Sequence, residues 1–260
     1  MNVRRTESGH ECPIVYRGAS PITRIAYYDR IARQWNRITR HHGGPFKRYV
    51  LNERILARIE GIAGRAILEL GAGNGYFAPL LRRRFSGQRP ARLIISDQAQ
   101  AQLDIARTEF PIEQAEYLTL DVQDVFPLPD ASCDLILAIM LFNELTTAGL
   151  NNALRESRRV LAPGGQLLAA VTHPVFVHAL ARKGALTDFG RGLAAMPGAE
   201  GLRLPVARRS MQAYLDALRE TGFSVETEDV FADEKTLHER PGLKLPRDTP
   251  LALLLDCQIV

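Results

Sequence analysis

From residue 65 onward, apolar positions come in short blocks separated by longer stretches of mixed character. RAILEL (65–70), ARLIIS (91–96), AEYLTL (115–120), CDLILAI (133–139) and QLLAAVT (166–172) are each nearly continuous in apolar residues. Strands buried on both faces of a parallel sheet have that appearance. Between them the spacing turns helical: Tyr76/Phe77, Leu80/Leu81 and Phe85 share one face, as do Leu150, Leu154 and Leu161. The alternation predicts right-handed βαβ units in an open, doubly wound, mostly parallel α/β sheet with helices on both faces. LAPGGQLLAAV (161–171) predicts a helix end, a Pro-Gly-Gly turn and entry into the next strand.

After residue 172 the rhythm stops. Residues 173–208 hold Gly, Pro and Arg without a clear strand and are expected to be an insertion. Loops of that length are usually lids or binding loops. A helix carrying Met211, Tyr214/Leu215 and Leu218 follows, then GFSVETEDV (222–230) and LALLLDCQIV (251–260). These two strands complete a seven-stranded sheet with an antiparallel strand at one edge. Residues 20–60 read as amphipathic helix, with Leu51, Ile55 and Ile59 on one stripe. The expected division is a helical lid segment (1–60), a ligand-binding core (61–174), an insertion forming a substrate lid (175–208) and the C-terminal part of the core (209–260).

Composition narrows the function classes. The chain is 46% hydrophobic and 24% charged, ordinary for a globular protein. No apolar run approaches the roughly 20 residues that span a bilayer, so no membrane partner is expected. Cys12, Cys133 and Cys257 are too dispersed for a metal site or a disulfide framework, and MNVRRTESGHECP lacks a hydrophobic stretch after its arginines. A cytoplasmic protein with free thiols, monomeric or homodimeric, is the expectation. The net charge of +4 is nearly all arginine, scattered opposite apolar stripes, and aromatics are only 7%. With no aromatic-and-basic stacking patch, nucleic acid is not expected as a partner.

The chemistry gathers around ILELGAGNGYF (67–77). Gly71, Gly73 and Gly75 follow the first strand directly, where glycine permits positive φ and close approach of a ligand to the backbone. A dinucleotide loop would read G-x-G-x-x-G/A. Counted from Gly71 the sixth position is Tyr76, and counted from Gly73 it is Ala78, two residues late. An NAD(P)-dependent oxidoreductase therefore stays open as an alternative. Glu69, just before the glycines, would repel a pyrophosphate and attract an ammonium. Asp97 ends the second strand, placed to accept hydrogen bonds from both hydroxyls of a ribose. Asp121-Val122 ends the third, where an acidic and a small apolar side chain suit an adenine. S-adenosylmethionine (SAM) has a cationic amino-acid end, a ribose and an adenine, and no phosphate. Read alone, Asp97 or Asp121 has a second reading, a cap of the following helix.

These residues resemble the class I SAM-dependent methyltransferases. LELGAGNG (68–75) is similar to the family's E/D-x-G-x-G-x-G loop, and LIISDQAQAQLDIAR (93–107) to its second motif. LDVQDVFPLPDASCDLILAIMLFNEL (120–145) resembles the third and fourth, and LRESRRVLAPGGQLLAAV (154–171) the helix and turn before strand five. The resemblance covers about residues 22–230. It implies Glu69, Gly71, Ala72, Gly73 and Gly75 around the methionine end, Asp97 and Gln98 on the ribose, Asp121 and Val122 on the adenine, and Met140 on the sulfonium side. YYDRIARQWN (27–36) is similar to a tyrosine-containing helix that covers the cofactor, which implies Tyr28 as a lid residue. Trp35-Asn36 stands where Tyr-Asp is commoner.

The methyl acceptor is less legible. MLFNEL (140–145) lacks the Asn-Pro-Pro-aromatic sequence of amino-methylating enzymes that act on bases or glutamine, which favours a small organic acceptor methylated at O, N or C. His173, at the end of strand five, is expected to project into the cleft as a general base; its alternative is a turn cap before Pro174. Asn143-Glu144 ends strand four and is expected to orient an acceptor, with Asn143 in the catalytic role. No His/Cys/Asp cluster has metal-ligand spacing. A SAM-binding relative that catalyses a non-methylating reaction such as cyclisation is a further alternative.

Overall fold

The computed structural model describes residues 24–190, 192–239 and 248–260. Helix α1 (Arg24–Thr39) is followed by a π-helical turn (Lys47–Leu51) that runs into α2 (Asn52–Ala57). Then come β1 (Ala66–Leu70), α3 (Phe77–Arg84), β2 (Arg92–Asp97), α4 (Gln100–Glu109), β3 (Glu116–Thr119) and β4 (Cys133–Ile139). A 3₁₀ turn (Phe142–Glu144) leads into α5 (Thr147–Val160), β5 (Leu161–Thr172) and α6 (Pro174–Arg182). The chain continues through β6 (Thr187–Gly190), β7 (Leu193–Pro197), β8 (Arg203–Val206), α7 (Met211–Glu220), β9 (Phe223–Val230), α8 (Glu234–Glu239) and β10 (Ala252–Ile259).

The main sheet has the order β3-β2-β1-β4-β5-β10-β9. All neighbours from β3 to β5 pair in parallel, while β10 runs antiparallel to both β5 and β9. The apolar runs of the sequence supply both faces of this sheet. Ile67, Leu93, Ile95, Leu135 and Leu137 pack into one core and Leu68, Ile94 and Ile136 into the other, as the two-residue period of a strand requires. Strand order reverses between β1 and β4. In open α/β sheets the crevice outside the carboxyl ends of the strands at that point is where ligands bind.

Two expectations are corrected by the structure. The amphipathic stretch over 20–60 is not one helix: it breaks at Arg40, Gly43 and Gly44, all with positive φ, before Pro45 allows a restart. Residues 1–23 of the expected lid segment, with Cys12, lie outside the described residues. Residues 173–208 are also not strandless. After α6 they form a separate antiparallel sheet, β6-β7-β8. Its strands have four or five residues each and turn through glycines with positive φ at 190 and 192, too short to show a period in sequence.

Tyr27 ties this small sheet to α1: its hydroxyl donates to the Arg203 carbonyl at 2.6 Å, and its ring meets Phe189 edge-on at 5.3 Å. Among the described residues no helix is long and apolar enough to cross a membrane.

Candidate active site

A cleft enclosing about 200 Å³ opens at the carboxyl ends of β1 and β4. Its floor is the turn after β1. Ala72 N–H donates to the Ser96 carbonyl and the Ser96 hydroxyl to the Glu69 carbonyl, both at 2.8 Å, so the turn is stitched to β2. Gly73 N–H donates to Asp97 Oδ2 at 2.8 Å, while Asp97 Oδ1 accepts from Ala99 N–H at 2.9 Å. Asp97 thus shapes both the glycine turn and the approach to α4, whose N-cap is Ala99, and it lines the cleft wall.

The glycines divide their labour. A Cβ on Gly73 would meet only Trp35 Nε1, at 3.6 Å, so the backbone there lies open to the cleft. A Cβ on Gly75 would sit 2.6 Å from the Cβ of Ala106 on α4. Gly75 does not line the cleft; it lets a helix approach, which corrects its expected place at the methionine end.

Glu69 is buried in the cleft wall, 3% exposed. Loss of water pushes its carboxyl up to about 8, and nearby Asp97 adds to the rise while Lys47 opposes it. Lys47 comes from the π-helical turn, with its ammonium 5.3 Å from the centre of the Tyr76 ring. Sequence spacing did not single out Lys47. Its one visible signal is rarity, as one of four lysines in an arginine-rich chain. Gln102, one turn into α4, was also missed. It lines the cleft at 1% exposure, and neither its amide oxygen nor its nitrogen has a hydrogen-bond partner.

Of the other expected residues, Tyr28, Gly71, Ala72, Gln98, Val122, Met140 and Asn143 all line the cleft. Met140 does so in the left-handed region, φ 60°, a conformation that costs a non-glycine residue about 1–2 kcal/mol and that clusters at functional sites. Asp121 is not among the lining residues. Its Oδ1 accepts from Gln123 N–H at 3.0 Å and holds the turn after β3, leaving Leu120 and Val122 on the cleft wall.

His173 is the larger correction. It is 2% exposed and does not line the cleft. Its Nδ1 accepts from Val175 N–H at 3.0 Å as the N-cap of α6, which places the ring proton on Nε2, 3.0 Å from Asp229 Oδ1. Both nitrogens are occupied, so the imidazole has no site for an acceptor's proton.

Asn143 is 2% exposed, and its Oδ1 accepts from Thr172 N–H at 3.3 Å. Its own carbonyl accepts from Ala207 N–H at 2.7 Å. Arg209 donates to the carbonyls of Phe142 and Leu145 at 3.2 and 3.0 Å. The 3₁₀ turn is therefore rigid, and it presents Glu144 to the cleft, where the Tyr28 hydroxyl donates to Glu144 Oε1 at 2.7 Å.

Residues 68–169 match the family described as a methyltransferase domain. The chain is 34% identical over 144 residues to a malonyl-[acyl-carrier protein] O-methyltransferase of Halorhodospira halophila, covering 53% of this chain and 45% of that protein. These matches support a class I SAM-dependent methyltransferase. The chain is also 29% identical over 147 residues to the ubiquinone/menaquinone biosynthesis C-methyltransferase UbiE of Caulobacter vibrioides, over 54% of this chain and 57% of that one. It spans about half the length of the curated relatives it matches. The solved [4+2]-cyclase SpnF shares the fold, with TM-score 0.61 and 19% identity over 90% of this chain and 95% of that one.

Proposed function

We propose that the cleft binds SAM and transfers its methyl group to O, N or C of a small organic acceptor. The observation that carries this reading is the pairing, in one cleft, of a buried carboxylate before an open glycine turn with a second carboxylate beyond it. Glu69 suits an ammonium, the open Gly73 backbone the chain beside it, and Asp97 with Gln98 a ribose. Lys47 supplies the cation that the carboxylate of an amino-acid end requires. The buried amide of Gln102 has polar capacity that no protein group meets, and buried polar groups are ordinarily satisfied. That too suits a polar nucleoside ligand. A pyrophosphate would face Glu69 instead, which disfavours the NAD(P) alternative.

Bound SAM supplies an electrophilic methyl group on a sulfonium. The chain's own work is positioning: in-line displacement needs the acceptor held close to the methyl carbon and along its bond axis. Met140 and Thr172 stand at the ends of β4 and β5 beside that point. Met196 and Leu204 of the small sheet and Phe176 of α6 form apolar walls. The small sheet is in this reading the acceptor lid, and α1 the lid over the cofactor.

The relatives' names carry two acceptor types, a malonyl group methylated at oxygen and an intermediate of quinone biosynthesis methylated at carbon. The likeness to a cyclase keeps a non-methylating use of SAM as the second reading.

Titration calorimetry with SAM, S-adenosylhomocysteine and NADPH tests the proposal. Binding of both adenosyl ligands and not of NADPH is expected; binding of NADPH alone overturns it. Turnover of SAM to S-adenosylhomocysteine with an acceptor separates methyl transfer from the second reading.

A further inference from the structure

Thr172 is the last residue of β5, and Asn143 lies on the 3₁₀ turn that follows β4. Both are buried and both line the cleft. Thr172 N–H faces the Asn143 side-chain amide at 3.3 Å. An N–H requires an acceptor, so the atom turned to it is Oδ1, and the NH₂ group is the end left for the cleft. Among the described residues this is the one hydrogen bond that the Asn143 side chain makes.

The Thr172 hydroxyl donates to Met140 Sδ at 3.9 Å. A thioether is a weak acceptor, so that proton passes readily to a better one. Asn143 Nδ2 and Thr172 Oγ1 are therefore two donors on neighbouring side chains, beside the methionine that the SAM-binding reading sets on the sulfonium side. Ala207 N–H and the Arg209 guanidinium hold the turn that carries Asn143, so its donor is fixed before a ligand arrives. Phe176, Met196 and Leu204 wall the adjoining space with apolar surface.

A pair of donors selects by lone pairs. A neutral amine has one, which attack on the methyl carbon consumes. An ammonium has none and sets donors against donors. A carbonyl oxygen has two lone pairs and no proton of its own to place. A site built to donate rejects a group that cannot accept, because its own buried donors are left unpaired.

We propose, resting on the SAM-binding reading above, that the acceptor is a carbonyl compound on an apolar frame, whose carbonyl oxygen takes hydrogen bonds from Asn143 Nδ2 and Thr172 Oγ1. Asn143 then sets the acceptor class. Thr172 has two parts: its N–H fixes which end of the Asn143 amide meets the ligand, and its hydroxyl is the second donor.

Two probes of one frame test this, 1-tetralone with its carbonyl and 1-aminotetralin with its ammonium, each titrated into the full chain saturated with S-adenosylhomocysteine. The ketone is expected to bind at least about tenfold more tightly, a difference of about 1.4 kcal/mol. Asn143→Asp keeps an oxygen for Thr172 N–H and replaces the donor by an acceptor, so it should reverse the preference. Thr172→Val keeps the backbone N–H and the side-chain shape. It should weaken the ketone about threefold or more and leave the amine unchanged, and Thr172→Ser should restore the ketone. Hydrogen bonding lowers a carbonyl stretching frequency. The infrared band of bound 1-tetralone should therefore lie lower in the native chain than in Thr172→Val, a difference that a merely structural role would not produce. The amine binding as tightly as the ketone overturns the proposal, as does an identical carbonyl band in the native and Thr172→Val chains, or binding of neither probe. Failure of S-adenosylhomocysteine itself to bind overturns instead the reading on which the proposal rests.

Discussion

The Asp97 carboxylate and the Gly73 amide are joined by a 2.8 Å hydrogen bond across the mouth of the cleft. A residue that lines the cleft therefore also shapes the turn at its floor. Asp97→Asn keeps one acceptor and turns an NH₂ group toward a backbone N–H. It should cost about 1–3 kcal/mol, read as a lower midpoint in thermal unfolding. Loss of SAM affinity should exceed what that loss of stability explains, checked by titration well below the unfolding midpoint.

Glu69 makes both stability and binding depend on pH. Its folded-state value rises from 4.5 to about 8 because burial strips the carboxylate of water, with Asp97 reinforcing and Lys47 opposing. Its contribution to stability is fully present below about pH 4.5 and is lost as pH rises through about 8. Glu69→Gln should flatten that decline, so the variant gains on the native chain as pH rises. A cationic ligand reverses the preference and ionises the group. SAM binding near pH 7 should release a fraction of a proton, measured by calorimetry in buffers of different ionisation enthalpy, and Glu69→Gln should abolish the release.

Gln102 should show opposite effects on stability and binding. Its buried amide lacks partners in the ligand-free chain. Gln102→Leu removes that polar group at similar volume and should raise free-protein stability by about 1 kcal/mol. The same change should weaken SAM. Differential scanning with and without ligand reads both effects.

His173 should behave as a cap. His173→Ala removes the acceptor of Val175 N–H and should cost about 1 kcal/mol, whereas His173→Asn, a good N-cap, should recover most of it. Neither should move the pH dependence of methyl transfer, because neither ring nitrogen faces the cleft.

Tyr27 should control the small sheet and leave the core untouched. Tyr27→Phe removes the hydrogen bond to Arg203, worth about 0.5–1.5 kcal/mol. Amide hydrogen exchange should accelerate in residues 193–206 and stay unchanged in β1 and β4.

Much of this was legible in one dimension because its causes are periodic or local. Five strands of the main sheet announce themselves as apolar runs, and the glycines and acids lie at strand ends, where any parallel sheet exposes them. That logic pointed to Glu69, Gly73, Asp97 and Met140, which line the cleft. It pointed also to His173 and Asp121, which do not line the cleft, since a side chain at a strand end can turn into the cleft or back onto the next amide. Those two orientations have the same sequence.

By itself, then, the sequence pointed to the strands of the main sheet, to its mostly parallel α/β architecture, and to a glycine turn flanked by carboxylates as the place where a ligand is to be sought. Tertiary structure decided which side chains line the cleft. It brought Lys47, Gln102 and the Tyr28–Glu144 pair to one cleft from separate elements, and it folded residues 187–206 into a sheet clasped by Tyr27. The physical reason is that hydrophobic period and turn chemistry act between near neighbours. Charge, burial and hydrogen bonding across a cleft act between residues far apart in the chain, and only packing sets those distances.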